Sequence, residues 1–182
     1  GCRLQDFTTG SWTAFSHDAQ FISLNAARHD AAKHRSLPVV GDAKLGLAAL
    51  QKTLGERCGD PTWTKEAQAQ RQIWDHTVAE TVRAGDNRPN SYAQAIGVVN
   101  ALVADHDRVV AAAGGLPAEV TANWRTLKTG TVDVEFGFSC MGYEIAGAWG
   151  ARIAQSEKEP DADTISFVGD GSYLMLNSDI YS

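Results

Sequence analysis

Short apolar runs that end in glycine-bearing turns and pass straight into helical repeats limit this chain more than any other feature. Residues 108–112 lead through Gly114-Gly115-Leu116-Pro117 to a helix-compatible stretch from Ala118. Thr164-Ile165-Ser166-Phe167-Val168 lead through Gly169-Asp170-Gly171-Ser172 to a helix from Tyr173. Between them, residues 142–155 have helical spacing, with Tyr143, Ile145, Ala146, Trp149 and Ile153 available for burial. Earlier, residues 20–25 read as a buried strand and Leu37-Pro38-Val39-Val40 as a second strand. Ala43–Leu54 then reads as a helix offering Leu45, Leu47, Ala48 and Leu50, with Gly55 at its C-terminus. Strands that alternate with helices return in the same direction, so the expected class is α/β with a parallel, doubly wound sheet and ligands at the strands' carboxyl ends.

Breaks at 55–62 and 84–90, rich in Gly, Pro and charge, divide the chain into three parts: 1–55, a connector at 56–88, and 89–182. Within the connector, residues 63–82 read as a helix with Ile73, Trp74 and Val78 on its apolar side. Residues 92–104, after an Asn90/Ser91 cap, read as another. The chain opens on Gly1-Cys2 and stops at Ser182 in what reads as a helix start, so both ends are expected to be cuts.

Composition excludes several function classes. With 43% hydrophobic and 21% charged residues over 182 positions, the chain can bury a core like any soluble globular protein. Its net charge of −6 argues against nucleic acid, which needs a basic face. No apolar run approaches the roughly 20 residues of a membrane span. A cytoplasmic location with no membrane partner is therefore expected. Cys2, Cys58 and Cys140 fit neither a disulfide framework nor a zinc pattern, and are expected to be reduced and partly buried. The histidines (His17, His29, His34, His76, His106) lack metal-ligand spacing, and none is assigned to catalysis.

Three segments could carry chemistry. In Gly169-Asp170-Gly171-Ser172 a carboxylate stands at the end of an apolar strand, with a glycine on each side to let backbone approach a ligand. Ser172 is placed to cap the next helix, and a divalent cation could bridge Asp170 to a phosphate. The competing reading is an Asp-Gly hairpin turn, which the helical run after Ser172 disfavours. In Phe136-Gly137-Phe138-Ser139-Cys140-Met141-Gly142, small residues around a Met could support a flat ring, or Met and Phe could simply fill the core. Gly114-Gly115 is a phosphate-loop candidate, weak by itself.

Together and in this order, these motifs resemble thiamine-diphosphate enzymes of the acetolactate-synthase type. Phe138-Ser139-Cys140-Met141-Gly142-Tyr143-Glu144 and residues 169–177 are most similar to the branch that hydrolyses trihydroxycyclohexanedione in myo-inositol breakdown. Arg3-Leu4-Gln5-Asp6-Phe7-Thr8-Thr9-Gly10, with Asp42-Ala43-Lys44, is similar to the end of the family's central domain. The resemblance implies that 1–55 end a Rossmann-like central domain. It implies that 89–182 begin the domain that binds thiamine diphosphate and Mg²⁺. Asp170 would ligate Mg²⁺, with Gly169, Gly171 and Ser172 around metal or diphosphate, and Gly114 and Gly115 would lie over the diphosphate. Met141 would wedge the cofactor into its bent form, and the Ser139 carbonyl would accept from its 4′-amino group. The family's closing Asn pair falls beyond Ser182, and its activating glutamate belongs to an N-terminal domain. No glutamate here, Glu144 included, takes that role, and no catalytic residue is assigned. The implied activity is C–C hydrolysis of a cyclic vicinal diketone by a homodimer or homotetramer with active sites between subunits. An acetolactate-synthase-like carboligase and a non-catalytic α/β nucleotide-binding or assembly module remain the alternatives.

Overall fold

The computed structural model describes residues 4–83, 85 and 91–181. Cys2, Arg3, the Asn90 half of the expected cap, the boundary at 88/89 and Ser182 lie outside those residues. The fold is mixed α/β with parallel sheets, and the chain divides into two compact units, residues 1–63 and 64–182.

The first unit holds α1 (Asp6–Thr9), β1 (Ile22–Asn25), α2 (Arg28–Ala31), β2 (Leu37–Val40) and α3 (Ala43–Leu54). β1 and β2 pair parallel, from Ile22 opposite Leu37 to Asn25 opposite Val40. α3 starts where the Asp42 carboxylate accepts the Leu45 N–H at 2.9 Å, which satisfies one of the free donors of the first turn. The expected burial is not found here. Ile22 is 72% exposed, and Leu45, Leu47 and Leu50 all face solvent. α3 approaches β1 through its glycine instead: a Cβ on Gly46 would come within 2.7 Å of the Leu24 side chain.

α4 (Pro61–Thr81) continues into the second unit, followed by α5 (Tyr92–Leu102), β3 (Arg108–Ala111), α6 (Gly115–Asn123), β4 (Val132–Val134), α7 (Tyr143–Ser156), β5 (Thr164–Phe167) and α8 (Asp170–Leu176). The sheet order is β4-β3-β5, and both pairings are parallel. Val109, Val110 and Ala111 of the central strand are all buried, which fits a strand covered on both faces. On one face Val109 and Ala111 pack with Ile96 of α5, Val120 of α6 and Trp124, whose ring meets Phe167 edge-on at 6.0 Å. On the other face lies α7. Ser166 stands level with Val110, and its hydroxyl donates to the Glu144 carbonyl at 2.8 Å. α5 is closed at its start by a reciprocal box between Ser91 and Gln94.

Several local expectations change. β4 was not anticipated: three residues with a central Asp give little strand signal, and that Asp133 is held by an ion pair to Arg108 on the neighbouring strand. α6 begins at Gly115, so Leu116 and Pro117 belong to its first turn, where proline's missing N–H does no harm. α8 begins at Asp170 with Gly169 as its cap, so Ser172 is no cap but a buried residue inside the first turn. Cys58 and Cys140 are free and exposed rather than partly buried. On α4 only Val78 is buried, while Ile73 and Trp74 are exposed. On α7 the buried residues are Glu144 and Gln155, and Tyr143, Trp149 and Ile153 are exposed.

Two tryptophans of the second unit, Trp124 and Trp149, separate core from surface. Trp124→Ala is expected to cost about 3–5 kcal/mol, because it empties a packed site beside Phe167. Trp149→Ala, at a position 63% exposed, is expected to stay within about 0.5 kcal/mol of the parent. Urea unfolding of both variants checks this, and similar losses for the two would contradict the packing described.

Candidate cofactor-binding site

Because β3, β4 and β5 run parallel, the segments that follow them emerge at one edge of the sheet. This brings together every residue singled out in the sequence: Gly114 and Gly115 after β3, Ser139 and Met141 after β4, and Gly169, Asp170, Gly171 and Ser172 after β5. The carboxyl edge of a parallel sheet, where the chain switches from one side of a strand to the other, is where such folds bind ligands. β3 is that switch strand, flanked by β4 and β5.

After β3, Gly114 adopts φ +83, a left-handed conformation that suits glycine, and caps α6. A Cβ added to Gly114, Gly115 or Gly169 would meet nothing within 4 Å, so the surface over these turns is open. The first-turn N–H groups of α6 have no partner within the helix, which makes this a suitable place for an anion.

After β4, Glu135 organises the loop. Its carboxylate accepts the Phe138 N–H at 2.8 Å and the Cys140 N–H at 2.9 Å. Hydrogen bonding from Cys140, then Phe138, with smaller contributions from Gly137 and Ser139, holds this carboxyl below the ordinary range. The same loop places Ser139 at φ +53, an uncommon conformation for a residue other than glycine. Strain of this kind collects at functional sites. Met141 follows, 47% exposed, and its terminal methyl lies 3.1 Å from where a Cβ on Gly171 would stand. Two motifs thirty residues apart therefore touch, and a side chain at Gly171 would have to displace the Met141 methyl by a few tenths of an ångström. Gly142, at φ +95, is constrained likewise: a Cβ there would fall 2.0 Å from Leu176 of α8.

After β5, the exposed Asp170 accepts the Gly171 N–H at 2.8 Å. Among the described residues no group of three or more His, Cys, Asp or Glu side chains could hold a metal. A single outward carboxylate still suits Mg²⁺, which keeps several waters and often takes one or two carboxylates together with substrate phosphates. The edge thus offers one carboxylate for a cation, open glycine turns beside a helix N-terminus for an anion, and a methionine side chain as an apolar rest. Sequence reasoning passed over Glu135 and considered Glu144 only to deny it the activating role. Glu135 could have been found only with β4 recognised, and nothing in the local sequence marks Glu144 as a link between two loops.

Residues 112–181 match the family described as thiamine pyrophosphate enzyme, C-terminal TPP binding domain. The chain is also similar over 99% of its length to curated proteins named trihydroxycyclohexanedione hydrolases. One is 3D-(3,5/4)-trihydroxycyclohexane-1,2-dione hydrolase of Geobacillus thermodenitrificans, 34% identical over 203 residues. Another is 3D-(3,5/4)-trihydroxycyclohexane-1,2-dione hydrolase 2 of Bacillus cereus, 33% identical over 205 residues. The chain spans 31% of the length of each of these relatives. Among the described residues no helix is long and apolar enough to cross a membrane.

The Glu135 anchor makes the loop sensitive to acid. Its folded pKa is depressed, so its contribution is complete above the ordinary carboxylate range and is lost as pH falls through the lowered value. Amide-exchange protection factors at Phe138 and Cys140 are expected to hold at neutral pH and to collapse on acidification through that window. Protection that does not change across the window would rule Glu135 out as the anchor.

Proposed function

Since residues 112–181 belong to the thiamine pyrophosphate enzymes as their C-terminal TPP-binding domain, we propose that this chain supplies the Mg²⁺–diphosphate side of a thiamine-diphosphate site. The enzyme proposed is a hydrolase of C–C bonds. The observation that carries this reading is the convergence of the three loops at one sheet edge, with Met141 seated on Gly171. The names of the relatives support a substrate of the cyclic vicinal diketone class and a place in inositol breakdown.

Bound thiamine diphosphate supplies a carbon nucleophile and an electron sink, which is what breaking a bond beside a carbonyl requires. The chain's own residues bind and orient. Asp170 offers the carboxylate for Mg²⁺, which would otherwise face the diphosphate with no protein ligand on that side. Gly114 and Gly115 leave room over the β3 turn, and the N–H groups at the start of α6 favour the diphosphate's charge. Gly169, Gly171 and the first turn of α8 would let backbone approach the metal. Ser172, buried in that turn, contributes backbone and no exposed hydroxyl. The Ser139 carbonyl, set by the strained loop, is the acceptor for the pyrimidine amino group, and the Met141 side chain is the wedge. None of these is assigned proton transfer. The activating glutamate and the second metal ligand that the family resemblance implies are assigned to no residue of this chain. Assembly as a homodimer or homotetramer, with sites between subunits, is part of the same proposal.

The residues for metal and for geometry are separable by experiment. In the full-length polypeptide, Asp170→Ala is expected to abolish Mg²⁺-dependent binding of thiamine diphosphate in isothermal titration. Met141→Ala is expected to lower the turnover number by roughly tenfold or more while Mg²⁺ affinity stays near the parent value, because it spoils orientation and leaves the ligand intact. The 182-residue chain by itself is expected to bind weakly and to lack activity. Undiminished cofactor binding by the Asp170→Ala variant would sink the proposal. Release of a coupled keto product in place of a ring-opened acid would favour the carboligase alternative.

A further inference from the structure

Resting on that cofactor reading, we propose that Glu144 is a positioning residue whose buried carboxylate clamps the diphosphate-side turn to the pyrimidine-side loop. Glu144 is fully buried, at 0% exposure. One carboxylate oxygen accepts the Ala113 N–H at 3.1 Å and the other accepts the Gly142 N–H at 2.8 Å. Ala113 immediately precedes Gly114, and Gly142 immediately follows Met141. One side chain therefore bonds both loops next to the residues that would face opposite halves of the cofactor. Its backbone is fixed as well, since the Glu144 carbonyl accepts the Ser166 hydroxyl from β5.

The chemistry of the partners dictates the form of the group. Both are backbone N–H donors with no capacity to accept, and each of the two oxygens accepts from one of them. No described Lys, Arg or His forms an ion pair with it. Its charge is met by the two N–H groups and by its place in the first turn of the fourteen-residue α7, where the helix end favours an anion. A buried carboxylate without a cation is an expensive way to fill space, and an apolar side chain would pack there at lower cost. What it provides that an apolar side chain cannot is a directional link between two loops. Gln is not equivalent: its NH₂ would oppose one of the two N–H groups and free one loop from the other.

The test compares thiamine diphosphate with pyrophosphate as probes, each with Mg²⁺, on the full-length polypeptide and its Glu144→Gln variant. Pyrophosphate uses only the diphosphate side, whereas thiamine diphosphate needs both sides in register. Glu144→Gln is expected to weaken thiamine diphosphate binding by about tenfold or more, the scale of one lost buried hydrogen bond, and pyrophosphate binding by less than about threefold. A purely structural role would weaken both alike, and equal losses or no loss would overturn the clamp. Amide exchange in the unmutated protein gives a second measurement that does not depend on the variant folding. Pyrophosphate is expected to raise protection at both Ala113 and Gly142, and a rise at Ala113 alone would also overturn the clamp. If the unmutated protein binds pyrophosphate with this paired response but not thiamine diphosphate, the clamp stands and the cofactor reading fails.

Discussion

β3 has no free side. It pairs with β4 along one edge and β5 along the other, and its valines and alanine are buried on both faces. A strand in that position must be apolar along its whole length, must have helices above and below, and must have neighbours that run parallel if the connections are helical. Its entry is fixed by polar groups. The Asp107 carboxylate accepts the Ala104 N–H and the Asp163 N–H, both at 2.7 Å, so the starts of β3 and β5 are tied together before either strand begins. The rest of the second unit follows from this. Three parallel strands held in register deliver three loops to one edge, whatever the loops contain.

What the loops contain then decides what that edge can hold. Glycines stand where backbone must approach closely or turn left-handed: Gly171 against Met141, Gly142 against Leu176, and Gly114 at the α6 cap. Ser139 accepts a conformation that glycine would take more easily, and the hydrogen bonds to Glu135 on either side of it hold it there. A loop fixed by such opposing demands has one geometry rather than several, as the positioning of a flat, charged ligand requires. The Asp170 carboxylate is exposed and accepts the N–H of its neighbour Gly171.

Much of this was legible in the sequence, and the omissions have physical causes. The runs at 108–112 and 164–168 announced β3 and β5 because a strand buried on both faces leaves an unbroken apolar signature. β4 left none, being three residues long with an Asp at its centre whose charge is balanced only across the sheet, by Arg108. The glycine turns could be read because glycine marks local backbone geometry, but helix starts were displaced by up to three residues. Gly-Gly-Leu-Pro reads as a loop until Pro117 is seen to sit in a first turn, and Ser172 reads as a cap until Gly169 takes that place. Burial was the least legible property. Leu45, Ile73, Trp74 and Trp149 have the periodicity of a core face and stand exposed, because periodicity says which residues share a side and not what covers it.

α7 carries that point furthest, since it buries acid and amide while exposing apolar groups. Apolar packing is non-directional, and a helix held only by leucines against a sheet can slide by a fraction of a turn at little cost. α7 is pinned at both ends instead. Near its start Glu144 bonds the turns that leave the sheet. Near its end the Gln155 amide donates to the His106 carbonyl at 3.0 Å and its oxygen accepts the Thr164 hydroxyl at 3.3 Å, where β3 and β5 begin. Two polar anchors about three turns apart fix the axial position of the helix against both strands. That position sets where Met141 stands, because Met141 precedes the helix by only two residues and has little freedom of its own. The placement of the Met141 side chain is thus determined by buried polar groups, and a substitution at Gln155, far from the sheet's carboxyl edge, is expected to act on the same coordinate as one at Glu144.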